Sequence, residues 1–103
     1  MRIADLRPGM KGVSLEATVL LVDEPRTIVA RGSERTILEA LISDGSGRIK
    51  LVLWDDNIIE LRPGDRVAID GGAVTSFRGE WRLNVGRGGS IRKVPTTRAG
   101  GVE

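Results

Sequence analysis

Alternation of apolar and polar residues over short segments constrains the fold of this chain more than any other feature. From Val13 to Leu21 every odd-numbered residue is apolar, and a period of two is typical of a β-strand that buries one face. Similar patterns predict further strands over residues 35–42, 48–54, 66–76 and 81–85, with a last short one over 91–94. Glycine-rich turns separate these segments, so the sequence predicts an all-β domain.

The connections between the predicted strands refine this prediction. Residues 31–34 look like a flexible loop, and residues 77–80 look like a turn. Asp55-Asp56-Asn57, followed by apolar residues, is a helix-start signature and predicts one or two helical turns. Gly71-Gly72, inside the fourth strand, predicts the bulge or sharp bend that a small barrel needs to turn a corner.

Five strands with a short helix between strands 3 and 4 are the element order of an OB-fold, a closed Greek-key barrel. An SH3-like barrel is the main alternative, since it is also small and all-β, but it would not normally place a helix there. A chain of 103 residues is large enough for one such core and not for two. We therefore expect one domain over residues 1–95 and a flexible tail over residues 96–103.

The residue types that are missing exclude several kinds of site. The chain contains no cysteine and no histidine, which excludes disulfides, the usual zinc sites and the Ser-His and Cys-His nucleophile pairs. A pair of carboxylates remains formally possible as a catalyst, but no spacing in the sequence supports one. We therefore expect a protein that is not an enzyme and that holds no metal or cofactor.

The sequence predicts neither a membrane segment nor secretion. No apolar run approaches the roughly 20 residues that cross a bilayer, and Asp5 places an acid too early for a secretion signal. The absence of cysteine permits a reducing interior. We expect a cytoplasmic, nucleoid-associated protein that is a monomer in solution.

The strand over residues 48–54 has two chemically different faces, because successive side chains point to opposite sides of a strand. One face is apolar and carries Ile49, Leu51 and Leu53. The other, which we expect to face solvent, carries Arg48, Lys50, Val52 and Trp54. Two cations and a flat ring match the phosphates and bases of single-stranded nucleic acid. The alternative is an ordinary solvated face on which the tryptophan closes a barrel end.

Charge is distributed unevenly along the chain. The net charge is +2, but residues 78–103 carry six cations and two acids, whereas residues 1–77 carry ten cations and twelve acids. A basic C-terminal third suits an anionic partner, although charge clusters also serve solubility alone.

Several motifs, in the same order and spacing, resemble the archaeal single-OB-fold proteins that bind single-stranded DNA. These motifs are Glu34-Arg35-Thr36-Ile37, residues 43–54, Arg62-Pro63-Gly64-Asp65, Ser76-Phe77-Arg78-Gly79 and Leu83-Asn84-Val85-Gly86. The chain is also similar to the human-type proteins of the DNA-damage sensor complex, which share Gly86-Arg87-Gly88-Gly89. The resemblance covers nearly the whole chain. It implies binding of single-stranded DNA, and more weakly RNA, during replication and repair.

The resemblance also implies which residues form the site. Trp54 and Phe77 correspond to the stacking aromatics of the family, although Phe77 could instead plug the barrel mouth. An OB-fold binds ligands across strands 2 and 3 and in the loops joining strands 1–2 and 4–5. Near phosphates we expect Arg35, Arg48, Lys50, Arg78 and Arg82. Asn84 could hydrogen-bond a base edge.

The chain departs from the family pattern at two positions of the barrel. Ala73 stands where the family usually has a further stacking aromatic, and Asn84 stands where the human-type relatives have tyrosine. Trp81 shares its parity with Leu83 and Val85, which predicts core packing. One missing platform predicts weaker binding than a relative with the full pattern, since each stacked base contributes roughly 1–3 kcal/mol.

Two other functions remain open on the sequence alone. One is an RNA-binding OB module, in which the same groove reads unpaired bases. The other is a protein-interaction barrel, in which Trp54 anchors a partner peptide and the cations surround it. The long tail of the family is short or missing, so recruitment of replication and repair proteins, although possible, has little support.

Overall fold

The computed structural model describes residues 1–95. Within this range there are seven strands: β1 (Val13–Val22), β2 (Arg26–Ala30), β3 (Ser33–Ser43), β4 (Arg48–Trp54), β5 (Arg66–Phe77), β6 (Glu80–Val85) and β7 (Ser90–Val94). Two short 3₁₀ turns complete the described elements, at Ile3–Asp5 and Asp55–Asn57. The predicted tail, residues 96–103, lies outside the described residues.

Five of the strands close into a barrel. The strand order is β1-β3-β4-β6-β5, and a further pairing of β1 with β5 completes the circle. The pairing of β4 with β6 is parallel, whereas the others around the barrel are antiparallel. This is the Greek-key order of an OB-fold, and the predicted fold class is therefore confirmed. The strands β2 and β7 extend the sheet by pairing with β3 and β5.

The predicted bend at Gly71-Gly72 is present in the middle of β5. Before the bend β5 pairs with β1 and β7, and from Ala73 onward it pairs with β6. Gly71 has a φ of +72°, and a Cβ added there would lie 2.8 Å from the carbonyl oxygen of Gly88. Both the positive φ and the close backbone approach require glycine.

Alternation correctly predicts the inner faces of the strands. The barrel interior is filled by small and medium aliphatic side chains from every barrel strand, including Val13, Leu15, Ala17, Val19, Leu38, Ala40, Ile42, Ile49, Leu51, Leu53, Val67, Ile69, Val74, Leu83 and Val85. Because one face of each strand is buried in this way, the register of the sheet is fixed and the opposite set of side chains must point outward.

Two predicted connections differ in detail from the structure. Residues 31–34 are not a flexible loop, since Arg31 and Gly32, with φ of +55° and +78°, form the tight turn of a hairpin between β2 and β3. The predicted helix is only the 3₁₀ turn at Asp55–Asn57. Asp55 has a φ of +49°, outside the right-handed helical region. The chain beyond Asn57 runs irregularly and packs Ile58 and Ile59 against the core.

Residues 1–95 contain no helix with the length and hydropathy needed to span a membrane.

Candidate nucleic-acid interface

The outward-pointing residues of β3, β4, β6 and β5 lie side by side on one surface. Directly paired residues share a face of a sheet, so the pairs Ile37–Trp54, Lys50–Arg82, Val52–Asn84, Ala73–Asn84 and Phe77–Glu80 define it. We call this surface the outer face, and it consists of Arg35, Ile37, Glu39, Lys50, Val52, Trp54, Ala73, Thr75, Phe77, Glu80, Arg82 and Asn84. It contains six of the eight predicted site residues.

Trp54 is fixed in place at one end of the outer face. Its side chain is half-buried, and its indole Nε1 donates a hydrogen bond to Oδ1 of Asn84 at 3.1 Å. The guanidinium carbon of Arg35 lies 5.2 Å from the centre of the indole ring, within the range of a cation–π contact. The ring is therefore held both in its plane and from above.

Asn84 uses both ends of its amide within the protein. Besides accepting from Trp54, it donates from Nδ2 to Oγ1 of Thr75 at 2.9 Å and to the carbonyl of Ala73 at 3.4 Å. An amide carries two donors and one carbonyl acceptor, so the donors expected to reach a base edge are already engaged. This geometry favours a role in orienting the indole.

Arg35 is held over the indole by Asp55. Its Nε donates to Oδ2 of Asp55, and the other carboxylate oxygen accepts from the backbone N–H of Thr36 at 3.0 Å. The Thr36 hydrogen bond, followed by that of Arg35, lowers the pKa of Asp55 below its usual value. Asp55 therefore stays ionised and partly neutralises the arginine that it positions.

A groove of about 380 Å³ opens beside Trp54 on the outer face. Its walls are Ala30, Arg31, Arg35, Trp54, Gly71, Ala73, Asn84, Gly86 and Arg87. The small side chain of Ala73 forms part of the wall. The groove thus combines a fixed aromatic ring with three guanidinium-bearing side chains.

Sequence reasoning missed two of those three arginines. Arg31 lies in the hairpin turn after β2. This turn belongs to the connection between the first two barrel strands, β1 and β3, which an OB-fold uses for ligands. Arg87 lies in the Gly86-Arg87-Gly88-Gly89 segment that follows β6. The position of Arg31 in a ligand-binding loop, and the sharing of the Gly-Arg-Gly-Gly segment with the human-type relatives, were the available signals.

Phe77 lies at the opposite end of the outer face and is exposed. Its side chain is 52% accessible, so it does not plug the barrel mouth. The guanidinium carbons of Arg78 and Arg82 each lie 5.1 Å from its ring centre. Arg78 and Gly79, with φ of +53° and +80°, form the tight turn between β5 and β6, which projects the ring and both cations together.

About 20 Å separates Trp54 from Phe77 along the outer face. Continuing the β4–β6 register by one residue places Trp54 level with Gly86, just after β6, and Phe77 pairs with Glu80, so their levels are six residues apart. At about 3.3 Å per residue in a strand, this gives roughly 20 Å. The two rings are on the same side of the molecule and are too far apart to stack on one base.

A buried carboxylate that the sequence did not reveal occupies the centre of the outer face. Glu39 is only 7% accessible, and its oxygens lie 3.1 Å from Arg26 Nη2, 3.7 Å from Lys50 Nζ and 3.9 Å from Arg82 Nη1. Lys50 and Arg82 also contact Glu80, at 3.4 and 3.1 Å. Two of the predicted phosphate contacts are therefore already paired with protein carboxylates.

Hydrogen bonding from Arg82, reinforced by the charge of Lys50, also lowers the pKa of Glu80 below its usual value. Glu80 is therefore ionised at neutral pH. The central cluster, defined as Arg26, Glu39, Lys50, Glu80 and Arg82, holds three cations and two anions. Its net charge is smaller than the predicted list of cations implied.

Two expectations about facing need correction. Val52 lies on the outer face, as predicted, but is only 1% accessible, because it lies between Glu39 and Asn84 beneath the longer side chains of the neighbouring rows. Trp81 has the parity of a core residue, yet it is 42% accessible. It lies in the first part of β6, before Arg82, where the pairing of β6 with β4 begins.

Arg48 and Arg78 are the predicted site residues outside the outer face as defined. Arg48 is exposed at the start of β4, next to Trp81 in a second groove. Arg78 lies in the turn beside Phe77. Among residues 1–95, no group of three or more aspartate or glutamate side chains is placed to hold a metal ion.

Comparison with known proteins gives one family match and several relatives. The family described as "Single-stranded DNA binding protein Ssb-like, OB fold" matches residues 6–93. The single-stranded DNA binding protein Ssb of Saccharolobus solfataricus is 35% identical over 85 residues, which cover 82% of this chain and 57% of that protein. An uncharacterized protein of Arabidopsis thaliana is 27% identical, with 88% of this chain and 66% of that protein covered. The chain thus spans less than two thirds of either relative.

Solved structures agree with the fold. An OB domain from Thermoplasma acidophilum superposes with a TM-score of 0.80 at 22% identity, covering 96% of this chain and 90% of that chain. The second OB-fold domain of replication protein A from Methanococcus maripaludis gives a TM-score of 0.79 at 18% identity, covering 96% and 98%. At these identities the likeness concerns the fold alone.

Proposed function

Because the chain belongs to the Ssb-like family of single-stranded-DNA-binding proteins with an OB fold, we propose that it binds one strand of DNA across the outer face. Trp54 and Phe77 stack on bases, and the arginines around them contact phosphates. The observation that carries this proposal is the groove beside Trp54, where an immobilised indole faces open space and Arg31, Arg35 and Arg87 surround it.

Electrostatics supports a single-stranded ligand at both ends of the outer face. Arg31 and Arg87 are exposed at the Trp54 end, and Arg78 is exposed at the Phe77 end. Guanidinium groups donate bidentate hydrogen bonds to phosphate and also stack on bases. A strand crossing the outer face therefore meets cations next to each ring, while the central cluster between them contributes little net charge.

The proposed contacts carry little sequence information. Every base presents a π-face, so stacking on Trp54 and Phe77 is sequence-tolerant. A duplex, whose bases are already stacked on each other, offers neither ring a partner. We therefore propose weak base preference, poor duplex binding and a short site, at the low end of roughly 4–16 nucleotides per OB-fold. Protection of single strands in replication and repair, by a monomer in the cytoplasm, is the corresponding cellular role.

Fluorescence titration with labelled and unlabelled oligo-dT tests the proposal, since both tryptophans of the chain report on the protein. Replacing Trp54 and Phe77 together by alanine removes two stacked bases. We expect a loss of about 2 kcal/mol or more, or a roughly 30-fold higher Kd. A control is Val29→Ala, which removes an exposed apolar side chain that pairs with Glu34, on the opposite side of the sheet from the outer face.

Equal affinity of the parent and the Trp54/Phe77 double variant would contradict base stacking at these positions. Competition between DNA and RNA oligomers of one sequence distinguishes the two nucleic acids, and we expect DNA to compete better. A parent protein that binds no oligonucleotide even at low salt would favour a protein-interaction barrel.

A further inference from the structure

Trp81 lies in a second groove that the proposed site does not use. This groove has a volume of about 440 Å³ and lies between the start of β4 and the start of β6. Ile3 and Leu6 form its apolar floor, and Arg48, Lys50, Glu80 and Trp81 form its walls. The guanidinium carbon of Arg7 lies 5.9 Å from the centre of the Trp81 ring. An exposed aromatic ring and several cations therefore meet at one place.

The groove of Trp81 opens onto the outer face. The registered pairs of β4 with β6 begin at Lys50–Arg82, and the residues that precede them on the two strands leave a gap. Lys50 and Glu80, which belong to the outer face, form the edge of the groove on that side. Glu80 also pairs with Phe77 across the hairpin, so the groove begins one strand away from the Phe77 ring.

The floor of this groove is fastened to the barrel. The backbone N–H of Ile3 donates to Oδ2 of Asp44 at 2.9 Å, and that of Ala4 donates to Oγ of Ser46 at 3.1 Å. The side chains of Ile3 and Leu6 are both buried. The groove is therefore a formed feature of the fold, in which a flat ring is presented over a stable apolar surface.

We propose that Trp81 is an additional base-stacking residue, and that the nucleotide beyond Phe77 passes over the Lys50–Glu80 ion pair at the edge of the groove to reach it. This inference rests on the proposed function and extends its footprint. Arg7 and Arg48 neutralise the phosphates of that nucleotide. Trp81 thus supplies, at the far end of the strand, the third platform that Ala73 does not provide beside Trp54.

Continuity and charge favour a nucleotide over other occupants. The groove shares Lys50 and Glu80 with the outer face, so a strand lying across Phe77 needs no second docking event to enter it. Around the ring, Arg7 and Arg48 are exposed cations, whereas Glu80 is engaged with Lys50 and Arg82. These surroundings suit a base that stacks on the indole and phosphates that lie near the arginines.

The two tryptophans of the chain allow a direct test. Trp54→Phe leaves Trp81 as the fluorophore, and Trp81→Phe leaves Trp54. Each variant is titrated with oligo-dT of increasing length over about 4–16 nucleotides. We expect Trp54 emission to change with every oligomer that binds, and Trp81 emission to change only above a threshold length.

Affinity measurements give an independent readout. We expect Trp81→Ala to weaken binding of the longest oligomer by about 5- to 150-fold, the loss of one stacked base, and to leave the shortest unaffected. Trp81→Leu keeps the apolar volume and removes the flat ring, so it should lose the same length-dependent affinity with an unchanged melting temperature. Val29→Ala serves as a surface control.

Unchanged affinity of Trp81→Ala and Trp81→Leu for long oligomers would overturn the inference while leaving the proposed function intact. So would a Trp81 emission that stays constant when a long oligomer is bound. If the parent binds no oligomer of any length, the proposed function and this extension fail together.

Discussion

The indole Nε1 of Trp54 and the side-chain carbonyl of Asn84 lie 3.1 Å apart on two strands that run parallel. This hydrogen bond connects the ring expected to stack on a base with an amide that is itself bonded to Thr75 and Ala73. The ring orientation is therefore set by the sheet and not by the bound strand. An aromatic side chain that is already ordered loses less conformational entropy when a base stacks on it.

Removing the Asn84 amide should weaken binding without changing base preference. We expect Asn84→Ala to reduce affinity for oligo-dT by about 1 kcal/mol, the usual contribution of one hydrogen bond, because the indole becomes free to rotate. The loss should be equal for oligo-dT, oligo-dA and oligo-dC in a titration. A loss confined to one base would instead assign Asn84 to base-edge recognition. Thr75→Ala, which removes only the hydroxyl supporting the amide, should have a smaller effect.

Neutralising the buried carboxylate at the centre of the outer face should strengthen binding. Glu39 pairs with Arg26, Lys50 and Arg82, and it repels a phosphate placed near them. We expect Glu39→Gln to tighten binding by about 1 kcal/mol, the Coulomb energy of two unit charges about 4 Å apart in bulk water. The salt dependence should steepen by about 0.7 in log–log slope for each cation that gains a phosphate.

The control for Glu39→Gln is Glu60→Gln, which makes the same charge change at an exposed position away from the outer face. It should leave both the affinity and the slope nearly unchanged. If Glu39→Gln weakened binding, the carboxylate would instead be needed to hold Lys50 and Arg82 in position.

An aromatic side chain at Ala73 should increase affinity. The groove beside Trp54 is bounded there by a methyl group, and a ring at this position would offer a further surface for a base. We expect Ala73→Tyr to lower the Kd for oligo-dT by about 5- to 150-fold, which corresponds to one additional stacked base at roughly 1–3 kcal/mol. Ala68→Tyr is the matched control, since Ala68 is another half-buried alanine of β5 and lies off the outer face. A parental Kd for Ala73→Tyr would mean that the groove is not on the path of the strand.

Stability should depend on acid pH through Asp44. Burial would raise the pKa of this carboxyl, but hydrogen bonds from the Ser46 hydroxyl and from the backbone N–H groups of Ile3 and Ser46 lower it to about 2. A depressed pKa in the folded state means that the ionised form stabilises the fold. This stabilisation is complete above the usual pKa near 4 and is lost as the pH falls through about 2.

We therefore expect Asp44→Asn to reduce the free energy of unfolding at neutral pH by about 1 kcal/mol, after allowance for solvent screening. The deficit should shrink between pH 4 and pH 2 in urea titrations. Asp56→Asn, at an exposed aspartate, should show a much smaller deficit at neutral pH. A deficit for Asp44→Asn that stays constant into strong acid would indicate that the lost hydrogen-bond geometry, and not the charge, matters.

The sequence predicted the barrel because the information for its strands is local. Alternation identified β1, β4, β5 and β6 to within one or two residues, and Gly71-Gly72 marked the corner. The strand β2 was missed because Arg26–Ala30 follows Pro25 and precedes a turn, so the expected loop concealed a hairpin. The expected helix is limited to one 3₁₀ turn. Asp55 bonds Thr36 and Arg35, which precede it by about twenty positions in the chain, and no local pattern reveals this contact.

The candidate site was predicted in its aromatic rings and less well in its charges. Parity alone placed Trp54 on the outer face. Phe77 was predicted to be exposed because it lies at the turn over residues 77–80. Burial of Glu39 depends on three cations from three other strands, which no local pattern reveals. Trp81 shows a similar limit of alternation. Alternation predicts on which side of the sheet a side chain lies, but it does not predict whether a neighbouring strand buries that side chain.

The corner of β5 has a mechanical consequence. A Cβ at Gly89 would lie 2.9 Å from the carbonyl oxygen of Gly71, just as one at Gly71 would meet Gly88, so two backbone segments touch with no side chain between them. Arg87 is carried by a segment pressed against the barrel wall in this way. If a bound strand contacts Arg87 as proposed, β5 and the strands paired with it resist displacement of this arginine. We expect the groove beside Trp54 to be rigid and already formed in the free protein. Binding of a strand should then require almost no conformational change in the protein.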